Sequence, residues 1–106
     1  MSGSRTIIEE SDRLPNVHPG DILREDFLIG SDISVGEVAL SAGIARPRLE
    51  AVVASSAAID ADIDLRLARY FGMSEGFFLG LQADYDLEEV KRLHGEELDR
   101  IVPRAA

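Results

Sequence analysis

The most constraining feature of the sequence is the stretch from Val35 to Ala54, where small, apolar and glycine residues recur at set intervals. Two short helices that cross at about 90–120° through a tight turn need a small residue at the crossing, which Ala39 provides. The turn needs a residue that tolerates positive φ, and Gly43 stands four positions later. Ile44 can then fill the corner. This spacing predicts a helix-turn-helix, and an ordinary pair of packed helices is the alternative.

Proline, glycine and capping residues divide the rest of the chain into helices. Proline suits the first helical position and glycine follows the last one, while Ser34-Val35-Gly36-Glu37 has the form of a capping box. The predicted starts are Pro19, Ser34, Arg46 with Pro47, Asp60 and Ser74, and the predicted ends are Gly30, Gly43, the turn from Ala54, Gly72 and Gly95. Strand-type alternation of useful length is absent from the sequence. These signals predict an all-α fold of five helices.

The chain has 106 residues, which is the size of one domain. We expect a flexible N-terminal arm over residues 1–17, a helical domain over 18–95 and a short C-terminal tail over 96–106. The lack of cysteine excludes a disulfide framework and cysteine-ligated metals. The sequence from Met1 to Ser11 lacks the pattern of a secretory signal, and no stretch is apolar enough to span a bilayer. We therefore expect a soluble, cytoplasmic protein.

Charge narrows the possible partners. Acidic residues number 20 and basic residues 11, so the formal net charge is −9. A basic footprint over the whole chain is excluded, and any nucleic-acid binding must use a local patch. Residues 84–99 are especially acidic, with seven acids, two bases and a net charge of −5. A solvated helix face explains this segment, and so does a surface that steers a basic protein partner.

The apolar positions of the second motif helix determine which of its residues face outward. If Leu49 and Val52 are buried, the outward residues are Arg46, Pro47, Glu50, Ala51 and Ala54. The N-terminal residues of a recognition helix normally reach base edges in the major groove. Arg46 is therefore the best candidate for a bidentate contact to guanine, and Arg48, on the flank, suits a phosphate. The alternative is a solvated face with a surface ion pair to Glu50.

The charge of the motif itself leaves two functions open. Two arginines balance two glutamates between residues 34 and 58, so the net charge there is zero. Three serines can donate to phosphates as neutral groups, namely Ser34, Ser55 and Ser56. Each missing phosphate contact weakens binding and flattens its salt dependence. The motif is either a weak or subunit-assisted DNA binder, or part of a protein-interaction module that has lost DNA recognition.

Several stretches of the chain, in order, resemble one family. The segment His18-Pro19-Gly20-Asp21-Ile22-Leu23-Arg24-Glu25-Asp26-Phe27-Leu28 is similar to the HPGE-x-L-x-E-x-F-L opening of HigA-type (VapI-like) antitoxins. Three later stretches also match: Ala45-Arg46-Pro47-Arg48-Leu49, Leu65-Arg66-Leu67-Ala68-Arg69-Tyr70-Phe71-Gly72 and Leu81-Gln82-Ala83-Asp84-Tyr85-Asp86-Leu87. The resemblance covers residues 17–90. These antitoxins belong to the Xre (Cro/cI) helix-turn-helix superfamily.

The resemblance implies a lambda-repressor-like, five-helix DNA-binding domain that forms a homodimer, often through its C-terminal helix. It implies repression of the protein's own operon and neutralisation of a RelE-like, mRNA-cleaving toxin. It assigns DNA reading to Arg46, Pro47, Arg48 and Glu50. The chain departs from the family pattern at three places: Val35 replaces a glutamine, Ala54-Ser55-Ser56-Ala57 replaces Asn-Gly-Lys-Arg, and Phe78 replaces a tryptophan.

Other features do not indicate catalysis. Asp60-x-Asp62-x-Asp64 resembles the first half of a calcium loop, but the glycine and glutamate that such a loop needs further on are absent from the sequence. Acids that complement the dipole at a helix N-terminus are the favoured interpretation. We expect His18 to cap a helix, and His94 belongs to no nucleophile–base set. We therefore expect a protein that is not an enzyme, with no catalytic residue, no metal and no cofactor.

Overall fold

A computed structural model describes residues 14–105. The helices are α1 (Pro19–Ile22), which continues as a π-helical segment (Leu23–Ile29), α2 (Val35–Ala42), α3 (Arg46–Val53), α4 (Ala61–Phe71) and α5 (Phe77–Asp99). All regular structure in this range is helical, and α1 and the π-helical segment form one continuous helix. The predicted all-α arrangement of five helices is therefore confirmed.

Most helix ends follow from local residues, as predicted. Ser34 and Asp60 cap α2 and α4 with side-chain oxygens, and His18 caps α1 with a ring nitrogen. Gly43 and Gly72 end α2 and α4 with φ of 71° and 72°. Glycine adopts this left-handed conformation without the steric penalty that other residues meet. These five helix ends are therefore encoded locally.

The start of α5 differs from the prediction. The expected cap, Ser74, lies in the preceding turn, and the helix begins at Phe77. The capping group comes from α4, because the buried carboxylate of Asp64 accepts the backbone N–H groups of Gly76 and Leu79 at 2.7 and 2.8 Å. A cap that another helix supplies leaves no local signal in the sequence, so the prediction of Ser74 is wrong.

The far end of α5 is interrupted at the predicted place. Gly95 is the expected terminator of the helix, and the backbone of His94, one residue earlier, is non-helical (φ −125°, ψ 21°). A kink at this point separates two helical pieces, and the second piece continues to Asp99. Residues 96–99, part of the expected C-terminal tail, are therefore helical.

The core lies where α2, α3 and α4 meet the first helix and the start of α5. Its buried hydrophobic residues are Leu23, Leu28, Val38, Ala39, Ile44, Leu49, Val52, Ile59, Ile63, Leu67, Ala68 and Phe78. Phe78, at the position of the family tryptophan, is fully buried and contacts the ring of Phe27 edge-on at 5.1 Å. The ring of Phe27 also meets that of Phe71 at 5.0 Å. These contacts fix the first helix, α4 and α5 as one unit behind the helix-turn-helix.

The π-helical segment is a feature that the sequence analysis missed. Its wider turn is visible where the N–H of Gly30 donates to the carbonyl of Glu25, five residues earlier, at 3.0 Å. Leu23 and Leu28 are also five residues apart, and both are buried. The wider turn therefore places two leucines of this spacing on one inward face.

The chain enters α1 along the side of α5. The Asn16 side-chain amide donates to the Tyr85 carbonyl at 2.9 Å and to the Glu89 carboxylate at 3.0 Å. Arg92 donates to the carbonyl of Leu14 at 2.7 Å. Residues 14–17 thus lie against α5, while the rest of the proposed arm, residues 1–13, lies outside the described residues.

Candidate nucleic-acid interface

The turn between α2 and α3 has the geometry that the spacing predicted. Gly43 is left-handed, and Ile44 follows with its N–H donating to the Ala39 carbonyl at 2.9 Å. Ala39 and Ile44 are nearly inaccessible to solvent, and Leu49 and Val52 are fully buried. The inward positions of the motif are therefore filled as expected, and the helix-turn-helix interpretation is favoured over an arbitrary helix pair.

Most of the residues predicted to face outward from α3 are exposed, while Ala51 is half-buried. Arg46, Pro47, Arg48 and Glu50 are all exposed, and Ala45 precedes them as an N-cap without a side-chain hydrogen bond. The N-terminus of α3 consequently presents two guanidiniums to solvent. The structure also brings acidic partners to both of them.

Arg46 bridges the groove between α2 and α3. Its Nε donates to the Glu50 carboxylate, one turn along α3, at 3.0 Å, and the Arg46 side chain is 62% exposed. Its guanidinium also lies over α2, because a Cβ added to Gly36 would stand 2.9 Å from Nη1 of Arg46. Gly36, a residue that weakens a helix interior, therefore gives this arginine room to lie close to the α2 backbone.

Arg48 is held across the turn to α4. Its Nη1 donates to Asp62 at 2.9 Å and its Nη2 donates to Asp60, while Asp62 also accepts from Arg66 Nε at 3.0 Å. Hydrogen bonds from Arg48 and then Arg66 lower the pKa of Asp62, and the backbone N–H of Ile63, followed by Arg48, lowers the pKa of Asp60. Both carboxylates consequently stay ionised at neutral pH. We call Arg48, Asp60, Asp62 and Arg66 the α3–α4 charge cluster; its net charge is zero.

The three serines predicted to meet phosphates have different surroundings. Ser34 is exposed, and its oxygen accepts from the Glu37 N–H at 3.1 Å, which leaves the hydroxyl proton for an outside acceptor. Ser56 is exposed but donates to the carbonyl of Ala51 at 3.0 Å. Ser55 is half-buried and donates to Asp21 at 2.8 Å. Among the three, Ser34 is the one whose geometry suits a phosphate without rearrangement.

A polar network that the sequence analysis missed fastens the C-terminal end of α3 to the first helix. Arg24 donates to the Val53 carbonyl at 2.7 Å and to Asp21 at 2.9 Å. The hydrogen bond from Ser55, followed by that from Arg24, lowers the pKa of Asp21. The three-residue spacing of Asp21 and Arg24 was the available sequence signal for the ion pair, but nothing local indicated the contact to α3.

The remaining features do not add chemistry to this face. Asp60 and Asp62 lie at the start of α4, as the dipole interpretation predicts. Within residues 14–105, no group of three or more His, Asp or Glu side chains is placed to hold a metal ion. In the same range, no helix is both long enough and apolar enough to cross a membrane.

Solved structures with the same fold include DNA-bound proteins. The Pseudomonas aeruginosa antitoxin HigA with the higBA promoter has a TM-score of 0.78 and 34% sequence identity, covering 86% of this chain and 100% of that one. The antitoxin GraA in complex with its operator has a TM-score of 0.77 and 31% identity, covering 88% of this chain and 94% of that one.

A curated relative extends the match to sequence. The chain is 33% identical over 90 residues to Virulence-associated protein I of Dichelobacter nodosus. The alignment covers 85% of this chain and 82% of that protein. A scan against protein-family models found no match. The extent of these similarities and the motif geometry agree with the resemblance in the sequence. The chain belongs to the HigA-type, VapI-like antitoxins of the Xre helix-turn-helix superfamily.

Proposed function

We propose that the protein is an antitoxin that binds operator DNA as a homodimer, represses its own operon and neutralises a RelE-like RNase toxin. The observation that carries this proposal is the exposed N-terminus of α3, with Arg46, on a helix-turn-helix whose inward positions are all filled. Operator-bound HigA and GraA support it. This role needs no enzyme activity and no cofactor, and it places the protein in the cytoplasm with the DNA.

Arg46 is the proposed base-reading residue. It stands at the first position of α3, where a recognition helix reaches base edges. Its ion pair with Glu50 is exposed on both sides, so breaking it costs little. The guanidinium can then bind guanine O6 and N7, and the released Glu50 carboxylate can accept from cytosine N4. Pro47, Arg48, Ser34, Ser55 and Ser56 complete the proposed DNA-binding set.

The DNA-binding test is a titration of the protein on its own upstream DNA. We expect fluorescence anisotropy to show tighter binding to that duplex than to a scrambled one, with an affinity that falls as salt rises. Arg46→Ala should abolish the preference for the upstream duplex, because it removes the base contact. Arg100→Ala, which removes a guanidinium at the end of α5, is the matched control and should keep the preference. A footprint that persists in Arg46→Ala would contradict the assignment.

The α5 helix supplies the proposed dimer and toxin surfaces. Leu87, Val90 and Leu93 form an exposed stripe along α5, which we call the α5 apolar stripe. The stripe suits a second copy of the chain, since an exposed apolar face gains stability when it is covered.

The nearby carboxylates Glu96 and Glu97 are exposed and suit a basic toxin. If substitutions that neutralise the charges of Glu88, Glu89, Glu96 and Glu97 leave toxin binding unaltered, the acidic surface is not the toxin site.

A second candidate function is a protein-interaction module of the same fold without sequence-specific DNA binding. The observation that favours it is the pairing of both α3 arginines with carboxylates, which leaves the face neutral. Such a protein would form the dimer and bind the toxin but would not distinguish its upstream DNA from a scrambled duplex. The same titration therefore separates the two functions.

A further inference from the structure

The α3–α4 charge cluster joins the recognition helix to the helix that follows it. Arg48 donates to both Asp60 and Asp62, and Asp62 accepts from Arg66 as well. All four side chains are about half exposed, at 40 to 57%. The cluster therefore lies at the surface, within reach of a phosphate that approaches α3.

Asp62 and Asp60 have different hydrogen-bond partners in this cluster. Asp60 has a structural task, because its Oδ1 caps α4 by accepting from the Ile63 N–H at 2.9 Å. The two carboxylate oxygens of Asp62 accept instead from two guanidiniums, those of Arg48 and Arg66. Exposed ion pairs of this kind contribute little to stability. The main consequence of Asp62 is therefore its effect on what those arginines can bind.

A carboxylate and a phosphodiester compete for the same guanidinium. Both offer anionic oxygens to its N–H donors, and the Nη1 and Nη2 groups of Arg48 already donate to carboxylates. A phosphate that reached Arg48 would also meet the negative charges of Asp60 and Asp62. The salt dependence of DNA binding reports how many phosphates are neutralised, with a slope of about −0.9 for each. A cluster of zero net charge neutralises none.

We propose that Asp62, together with Asp60, sets the DNA affinity of the protein by competing with the phosphodiester backbone for Arg48. This inference rests on the proposed DNA-binding function and adds an affinity-determining residue to it. Binding of α3 to a duplex exchanges a carboxylate for a phosphate at Arg48. Because phosphates carry no base identity, the exchange changes affinity without changing sequence preference.

Asp62→Asn is the direct test, because it removes one charge with almost no change of shape. We expect Asp62→Asn to tighten the binding of the homodimer to its upstream duplex, and this gain should be roughly tenfold larger at about 50 mM salt than at about 200 mM, if each subunit gains one phosphate contact. The slope against the logarithm of salt concentration should steepen by about 0.9 per subunit. Binding to a scrambled duplex should tighten by the same factor. Asp26→Asn, an exposed carboxylate on the π-helical segment, matches the change in net charge and should leave the slope unaltered.

Double-variant cycles identify the residue through which Asp62 acts. The gain from Asp62→Asn should disappear in an Arg48→Ala background and persist in an Arg66→Ala background. Circular dichroism and thermal unfolding establish that each variant folds. A gain of equal size without Arg48, or no gain in the native background, would overturn the inference.

The outcomes also separate this inference from the proposed function. If the native protein binds its upstream duplex specifically and Asp62→Asn changes nothing, the proposed function stands and the inference fails. If the native protein shows no specific binding but Asp62→Asn binds both duplexes through Arg48, the inference stands and the proposed repressor role fails. If neither protein binds DNA, both are overturned.

Discussion

At the scale of single residues, two helical glycines meet opposite surroundings. A Cβ added to Gly20 would stand 1.9 Å from the carbonyl oxygen of Val52, where α1 contacts α3. A Cβ added to Gly80, on α5, would meet no atom within 4 Å. The backbone of α3 is therefore positioned partly by the absence of a side chain at residue 20.

This difference predicts opposite effects of the same substitution. Gly20→Ala should lower the free energy of unfolding by about 2 kcal/mol, because the overpacked backbone has to shift. Gly80→Ala should raise it by about 0.5–1 kcal/mol through the better helix propensity of alanine. Urea denaturation of both variants measures the effects. Stabilisation by Gly20→Ala would mean that α1 and α3 do not approach so closely.

Ser55 shows how a departure from the family pattern is accommodated. The family has glycine in this turn, and Ser55 adopts a φ of 62°, in the left-handed region that favours glycine. Its hydroxyl donates to Asp21 at 2.8 Å, a contact that glycine cannot make. Ser55 thus lacks the conformational freedom of glycine, but its side chain provides a hydrogen bond to the charged Asp21.

The Asp21 network predicts a pH dependence of stability. The pKa of Asp21 in the folded protein lies below its ordinary value of 3.8, so its ionised form stabilises the fold above that pH. This contribution is lost as the pH falls through the lowered pKa. Between neutral pH and about pH 3, Asp21→Asn should therefore lose less unfolding free energy than the native protein. Ser55→Ala, which removes the main contact, should change the profile in the same direction; an unchanged slope in both variants would contradict the assignment.

At the scale of helices, Asp64 joins α4 to the start of α5. Asp64→Ala leaves the N–H groups of Gly76 and Leu79 without their carboxylate acceptor in a buried setting, which should lower the free energy of unfolding by about 2–3 kcal/mol. Asp64→Asn keeps one acceptor oxygen and should lose less. Chemical denaturation with circular dichroism tests both, and equal losses would show that the acceptor oxygen is not the important property.

The same contact shows which elements are readable from sequence. Gly43, Ser34 and Asp60 act on backbone groups within a few residues, so their helix ends were predicted correctly. Asp64 acts on a segment twelve to fifteen residues away, and the start of α5 was predicted wrongly for that reason. The π-helical segment was also missed, since local apolar spacing does not distinguish it from an ordinary helix.

The candidate site likewise combines features that the sequence predicts with features that it does not. The exposed positions of Arg46, Pro47, Arg48 and Glu50 follow from the helical period once the inward residues are known, and the structure has them exposed. The partners of Arg48 were not predictable, because the turn after α3 brings Asp60 and Asp62, at the start of α4, beside it only in the folded chain. Periodicity therefore predicts which side chains are exposed, but it does not predict which carboxylates pair with them through tertiary contacts.

At the scale of the whole molecule, the proposed homodimer has to cover the α5 apolar stripe and bring two recognition helices to one duplex. Leu93 is 75% exposed in the single chain, and Leu87 is 58% exposed. The proposed homodimer through this stripe covers these side chains. It also doubles the number of arginines available to a duplex, which matters for a protein with a net charge of −9.

Leu93→Asp tests this arrangement directly. A charge buried in the proposed interface should convert the dimer to a monomer, as measured by size-exclusion chromatography with light scattering, because an unpaired charge is costly to desolvate. The helical content should remain, since Leu93 is exposed in the single chain. Operator affinity should fall at least tenfold, because one subunit then holds one half-site alone. Leu40→Asp, at a position 86% exposed on α2, makes the same chemical change away from the stripe and should remain dimeric. A Leu93→Asp protein that stays dimeric would place the subunit contact on another surface.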